Sequence, residues 1–154
     1  MRFTASRLFA AALCIAIFTG AEAAQPGVQI PVVLRYAGAD PVGQALAAAI
    51  EEQLAMAENL RSETTEFAEP RIVVIMTTVD GSVEDPEKQT AASVSILYDA
   101  DTLPLNGYLI TTLVQVCGIT RTRECAQEII DTVNAALLRL QDDHPDLWSS
   151  LQPP

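Results

Sequence analysis

The chain has 154 residues, of which 9 are basic and 20 acidic, so its formal net charge is −11. A surface this acidic repels phosphate backbones and anionic lipids, which argues against nucleic-acid binding and electrostatic membrane attachment. At this length the chain makes one domain of ordinary size, with a core that does not depend on a metal.

The first 23 residues predict a cleavable secretory signal peptide. Arg2 and Arg7 precede the apolar run Leu8–Phe18, which is too short to span a bilayer. Ala21-Glu22-Ala23 then offers small residues to a signal peptidase, so we expect cleavage after Ala23. The product would be periplasmic or secreted, without a membrane anchor. Its net charge would be about −12, because two arginines and one glutamate leave with the signal.

Export would also place the cysteines in a compartment where disulfides form. Cys14 leaves with the signal, and an oxidising compartment would join the remaining pair, Cys117 and Cys125. The bridge would close a loop of nine residues, for which the chain-entropy model gives about 2.6 kcal/mol. A catalytic dithiol or a metal site is the alternative, but the first needs a closer cysteine pair and the second more histidines.

The first predicted elements are a strand and a helix. Val28–Tyr36 alternates as a half-buried strand does, and Pro31 places that strand at a sheet edge or a bulge. Asp40-Pro41 is typical of a helix start, with Asp40 as the N-cap. Apolar residues then recur every three or four positions through Leu60, which predicts a helix that ends near Arg61 or Ser62.

Three further strands are predicted from Arg71 onward. Arg71–Val79 is a β-branched run, as expected for a central strand buried on both faces. A loop over 80–90 leads to a strand over Ala92–Tyr98, and a turn over 99–107 leads to Tyr108–Cys117. In this last strand the pattern predicts one face with Tyr108, Ile110, Val114 and Val116, and the other with Thr111 and Gln115.

The chain closes with an amphipathic helix over 121–141 and an acidic tail over 142–154, in which Leu147, Trp148 and Leu151 form one amphipathic turn. The order β-α-β-β-β-α predicts a two-layer α+β sandwich over residues 24–141: a four-stranded mixed sheet with both helices on one face. Thr111, Gln115, Ser93 and Ser95 indicate a partly polar opposite face, which is solvated or docks another subunit.

Two acidic clusters are weak candidates for chemistry. Asp80, Ser82, Glu84 and Asp85 group oxygen ligands that calcium accepts, but their spacing departs from the EF-hand pattern, so a solvated loop is expected. His144, the one histidine, lies among Asp142, Asp143 and Asp146. Any Ser-His-Asp triad or Cys-His dyad would have to use this histidine. The expected alternative is that His144 lies at the carboxyl end of a helix, in a solvated acidic segment.

A further carboxylate pair, Asp99 and Asp101, is weighed as a glycosidase acid and base, but the domain is small and has one tryptophan. We therefore expect no cofactor, no metal and no catalytic residue. Tyr36, Tyr98, Tyr108 and Trp148 are candidate partner contacts, because aromatic anchors carry much of the binding energy at protein interfaces. Alternatively, these four side chains pack at the periphery of the hydrophobic core and contact no partner.

Two stretches carry a resemblance: Asp40–Gln44 opening an alanine-rich helix, and Cys117-Gly118 followed by Glu124-Cys125-Ala126 at the start of the last helix. They resemble small uncharacterised exported proteins of Gram-negative bacteria. The layout is also similar to envelope accessory modules, such as the amino-terminal domain of the Tol-system propeller protein. The resemblance implies an envelope location and transfers no site residue.

These expectations together favour a non-enzymatic periplasmic binding or accessory module that engages another envelope protein. Two alternatives stay open, a small secreted hydrolase or inhibitor and a structural subunit of a homo-oligomer.

Overall fold

The computed structural model describes residues 29–64, 70–81, 84–85, 87–100 and 107–152. The predicted signal peptide and its cleavage site lie outside the described residues. Within them, the elements run in the order β1 (Ile30–Ala37), α1 (Pro41–Met56), β2 (Leu60–Ser62), β3 (Arg71–Asp80), β4 (Gln89–Asp99), β5 (Tyr108–Gly118), a single 3-10 turn (Ile119–Arg121), α2 (Thr122–Asp143) and α3 (Pro145–Ser150).

The strands form one mixed sheet in the order β2-β1-β3-β4-β5. β1 is parallel to β2 and to β3, whereas β3, β4 and β5 are successively antiparallel. The mixed α+β class is therefore as predicted, with a parallel first pair followed by a meander. The prediction of four strands and two helices was incomplete, since the described residues form five strands and a third short helix.

The missed strand, β2, follows from where α1 ends. α1 begins as predicted, with Asp40 as N-cap and Pro41 in the first turn, but Ala57 has extended backbone angles and the helix stops at Met56. Leu60 does belong to the apolar stripe, since it is buried, but it reaches the core from β2 beside Ile30. A helix period and a three-residue strand place that side chain equally well, and the sequence pattern does not separate them.

β2 also changes the position of Pro31. With four strands β1 would be an edge strand, whereas here β2 pairs with the first three residues of that edge, Pro31 among them. The amide of Ile30 donates to the Asn59 carbonyl and the carbonyl of Val32 accepts from Glu63, so these two residues point their backbone groups toward β2. Pro31 points the other way, and the β3 register begins only at Val32, so the missing N–H costs no ladder bond.

The central hairpin is longer than predicted. β3 and β4 pair without interruption from Arg71 with Asp99 to Asp80 with Thr90, so the connecting loop is confined to the residues between Asp80 and Gln89. β3 is buried on both faces only over its first four residues and alternates afterwards. The two-sided burial expected of a central strand therefore holds for half of β3.

In β5 Val114 and Val116 do lie on the face opposite Thr111 and Gln115, as predicted, but the prediction of which face is turned to the core was wrong. Thr111 and Gln115 face the helices together with the buried Cys117, whereas Val114 and Val116 face away from them. A bulge between Ile96 and Leu97 of β4 shifts the register by one residue near Ile110, so one alternation cannot describe the whole strand. The Gln115 side chain donates to the Cys125 carbonyl of α2 at 3.3 Å, which satisfies its amide on the helix side.

A disulfide fixes the junction between β5 and α2. Cys117, at the end of β5, and Cys125, in the first turns of α2, are joined with their Cα atoms 6.2 Å apart. Both residues are buried. The bridge links the end of the last strand to the start of the helix, and a disulfide of this kind is consistent with a secreted protein.

The predicted amphipathic turn of the tail is α3. Its C-cap residue Leu151 is buried, and Leu147 and Trp148 pack against the main core. α1 and α2 lie on one face of the sheet, and their apolar sides form a single core with the inward residues of β1, β3 and β4. None of the described helices is long and apolar enough to cross a bilayer.

Candidate partner-binding surface

The face of the sheet opposite α1 and α2, which we call the outer face, carries large apolar side chains in water. The exposed fractions are 36% for Ile75, 61% for Val79, 53% for Leu109, 77% for Val114 and 62% for Val116. Apolar side chains scattered singly on a surface are ordinary, but a contiguous set indicates an interaction site.

The strand register shows that these side chains are neighbours. Val79, Ala91 and Val116 stand in one row across β3, β4 and β5, and Thr77, Ser93 and Val114 form the next. Ile75 follows one row further, between Ser95 of β4 and the exposed Arg35 of β1. Because side chains in such rows are about 5 Å apart, Val79, Ala91, Val116 and Val114 form one apolar strip, and Thr77 and Ser93 separate it from Ile75.

The outer face of these three strands is also almost uncharged. From Ile75 to Val79 in β3, and along β4 and β5 up to Asp99, its side chains are apolar, hydroxyl or amide groups. Arg71 and Asp99 stand at its far end, where the guanidinium donates to one carboxylate oxygen from Nε at 3.0 Å and from a terminal nitrogen at 2.6 Å. For a chain with a net charge of −11, an uncharged face this wide is a local exception.

The four aromatic candidates do not lie on this patch and do not meet at one point. Tyr98 is 2% exposed and its hydroxyl bonds with that of Ser150 at 2.7 Å, so it ties α3 to β4 and does not reach the surface. Trp148 is half-buried and lines a groove of about 340 Å³ with Ile30 and Leu137.

Tyr108 and Tyr36 serve two other junctions. The Tyr108 ring meets the His144 ring edge to face, and its hydroxyl lies 2.8 Å from His144 Nε2. His144 therefore anchors the α2–α3 junction to β5. The Tyr36 hydroxyl lies 3.2 Å from that of Thr78 in the other half of the sheet.

The acidic candidates do not form a cation site in the part of the chain that the structure describes. No three His, Cys, Asp or Glu residues among the described positions are grouped to hold a metal. Ser82 and Asp101 lie outside the described residues. Asp85 forms an ion pair with Lys88, and Asp99 forms one with Arg71.

Sequence reasoning identified Asp40 only as a helix cap, whereas the structure makes it the centre of a buried polar cluster. Its carboxylate accepts from the Gly43 amide and from the Thr78 hydroxyl, both at 2.6 Å. Because the single Thr78 proton goes to Asp40, the Tyr36 hydroxyl is the donor in its own bond with Thr78. This cluster joins the carboxyl ends of the parallel strands β1 and β3 to the start of α1.

The environment of Asp40 favours its ionised form. Burial by itself would raise the pKa of Asp40, but hydrogen bonds from Thr78, from the Gly43 amide and from Thr90 outweigh it, so the pKa lies below its ordinary value. A cavity of about 450 Å³ opens beside the cluster, lined by residues 39–41 and 78–80. The hydrogen bonds of the carboxylate are internal, so we assign the cluster a structural role.

Two glycines allow this close packing. A Cβ added at Gly38 would lie 2.1 Å from Thr78 Oγ1, and one added at Gly43 would lie 2.2 Å from the same atom. The sequence signal for the cluster was thus available in part, as a glycine on each side of the Asp40 cap. Nothing in the sequence connects those glycines with Thr78, which is 38 residues further along the chain.

Comparison with known proteins adds little to this description. No protein-family model matches the chain, and no curated protein matches it. Among solved structures, a hypothetical protein from Chlamydia trachomatis, CT253, is similar over 58% of this chain and 72% of its own, at 12% identity and a TM-score of 0.32. A likeness at this TM-score carries no argument, so the functional reasoning depends on the residues themselves.

Proposed function

We propose that this protein is a non-enzymatic binding or accessory module of the periplasm, which engages another envelope protein through the outer face of its sheet. The observation that carries the proposal is the solvent-exposed apolar patch on the outer face, in which Val79, Val114 and Val116 form an uncharged strip and Ile75 stands at its border, next to Arg35. Burying such a patch against a partner is favourable by about 25 cal/mol per Å² of apolar surface.

Location and charge define the partner further. The signal-like first 23 residues and the Cys117–Cys125 bridge both fit an oxidising compartment outside the cytoplasm. Because the chain as a whole has a net charge of −11, a partner that offers an apolar surface bordered by basic or neutral residues is attracted, while an acidic one is repelled.

The alternative of a small hydrolase receives less support from the geometry. Asp99 is held in an ion pair with Arg71, and the His144 ring is engaged by Tyr108. Each group thus has a structural partner, and among the described residues no second catalytic group is hydrogen-bonded to either of them.

Photo-crosslinking in intact cells tests the proposal. A photoreactive residue at Val79 or Val116 should form an adduct with one envelope protein, whereas the same residue at Gln127, exposed on α2, should not. The substitution Ile75→Lys, placed at the border of the patch, should abolish the adduct, and the purified partner should bind the unchanged protein.

Two results would contradict this proposal. Equal adducts from Val79 and Gln127 would show that the outer face has no special role. Adducts formed only between two copies, with a mass in light scattering that rises with concentration, would establish the homo-oligomer instead.

A further inference from the structure

The free edge of β5 is a second feature of the binding side. β5 is the last strand of the sheet, and no described strand pairs with its other side. It is 11 residues long, whereas β2 at the opposite edge has three. A strand of this length presents a row of unpaired backbone donors and acceptors.

The hydrogen-bond pattern identifies which groups are unpaired. The Ile119 amide donates to the Lys88 carbonyl directly opposite it, so odd-numbered residues from Cys117 back to Thr111 direct their backbone groups toward β4. The alternate residues Thr112, Val114 and Val116 therefore point their N–H and C=O groups outward. These residues also place their side chains on the outer face.

The usual protections of an exposed edge are missing in β5. Its sequence, YLITTLVQVCG, contains no lysine, no other charge and no proline. Natural edge strands are generally short, charged, bulged or covered, because a long uncharged one pairs with other chains. The single bulge lies near Ile110, which leaves Thr112–Gly118 regular.

Charges at the two ends of β5 indicate what kind of chain fits there. At the Gly118 end lies the acidic loop with Glu84, Asp85 and Glu87, whose neighbour Lys88 accepts the Ile119 amide bond. Three neutral ion pairs lie there, Lys88 with Asp85, Arg121 with Glu124 and Arg123 with Glu52, so the net negative charge of this loop comes from Glu84 and Glu87.

At the Tyr108 end, Tyr108 contacts His144, and Asp143 and Arg139 line the small cavity beside these two rings. Asp142 and Asp146 are exposed and stand two residues from His144 along the chain, so the acidic residues near this end outnumber the basic ones. A second copy of this chain would bring acidic ends against acidic ends. A segment that is uncharged in its middle and basic at both ends meets each part of the edge favourably.

We propose that β5 accepts an extended segment of the partner protein as a sixth strand, with an apolar or β-branched middle and basic ends. The segment exchanges backbone hydrogen bonds with Thr112, Val114 and Val116, and its alternate side chains extend the outer face. This inference rests on the proposed function and specifies the chemistry of the partner.

Synthetic peptides test the inference on the mature protein by fluorescence anisotropy. The probe is a peptide as long as β5, with alternating Val and Thr in the middle and two lysines at each end. We expect this peptide to bind. A version with glutamates at the ends should bind at least about tenfold more weakly at low salt. A version N-methylated at alternate backbone positions should lose affinity by about the same factor, since tenfold corresponds to roughly one lost hydrogen bond.

The matched protein variants are Val114→Pro and Val114→Thr. Val114→Pro removes an outward N–H and leaves the ladder with β4 intact, so it should weaken the lysine-ended peptide about tenfold, whereas Val114→Thr keeps the N–H and should change binding less than about threefold. Hydrogen exchange on the unchanged protein gives a second readout that does not depend on a variant folding. The peptide should protect the Val114 and Val116 amides.

Equal binding by the N-methylated peptide, or no added protection of these amides, would overturn strand addition. Such a result would leave the outer-face proposal standing if crosslinks from Val79 still form and Ile75→Lys still abolishes them. Peptide binding that survives Ile75→Lys, without any crosslinked partner in cells, would support the edge and contradict the outer-face proposal.

Discussion

Replacing Asp40 tests whether the buried cluster holds α1 to the sheet. Asp40→Ala removes the helix cap, which costs about 1 kcal/mol, and leaves the buried Thr78 hydroxyl without its acceptor, which costs about 1–3 kcal/mol more. We therefore expect the free energy of unfolding to fall by about 2–4 kcal/mol. The lower end applies if water from the adjacent cavity reaches the Thr78 hydroxyl.

Asp40→Asn is the matched control, because the amide has the same shape and one acceptor oxygen but no charge. That oxygen can take either the Gly43 amide or the Thr78 hydroxyl, so the expected loss is about half of that for alanine. Urea unfolding of the mature, oxidised protein, followed by circular dichroism, measures all three proteins at neutral pH.

The pH dependence supplies a second readout. The pKa of Asp40 is lower in the folded protein than in the unfolded chain, where it has its ordinary value of about 4. The carboxylate therefore contributes its full share to the free energy of unfolding above about pH 4, and this share is lost as the pH falls through the folded pKa. The difference between wild type and Asp40→Asn should therefore shrink in acid. An Asp40→Ala variant as stable as the wild type, or a wild-type advantage over asparagine that does not change with pH, would refute this account of the cluster.

Two further predictions concern packing. Gly43→Ala should destabilise the protein although alanine is the better helix former by about 1 kcal/mol, because the new Cβ would lie 2.2 Å from Thr78 Oγ1. The control Gln44→Ala, exposed on the same helix, should change the urea midpoint little. A stabilised Gly43→Ala variant would contradict the close approach of Gly43 to Thr78. Replacing both Cys117 and Cys125 by serine should lower the free energy of unfolding by about 2.6 kcal/mol. In the exported wild type, intact mass after alkylation should show that two thiols are masked and become reactive on reduction.

The sequence predicted those elements in which local chemistry and period agree. The start of α1 was correct because Asp40-Pro41 is a local signal, and β3 and α2 were found from their apolar periods. β2 was missed because three residues are too few to show a period, and Leu60 fits the stripe of the preceding helix as well as it fits a strand.

The outer face, the proposed binding surface, was harder to predict, because it depends on which way β5 faces. Alternation alone gives two face assignments, and a single bulge exchanges them. The predicted disulfide contained the missing information: a bond to Cys125 on the helix requires Cys117 to face inward, and Gln115 with it, so that Val114 and Val116 face outward. The Asp40 cluster was beyond reach for another reason, since it joins residues distant along the chain.

The unequal edges of the sheet have a consequence for stoichiometry. β2 closes one side with only three residues, whereas β5 offers 11 on the other. A strand added at β5 presents its own outer edge in turn, so growth stops after one strand only where a folded partner covers that edge. If the proposed partner does so, the complex is finite, with one segment for each copy of this protein. Because β2 pairs with only three residues of β1, the two edges of the sheet differ in length, which disfavours the end-to-end stacking of copies that builds a fibre.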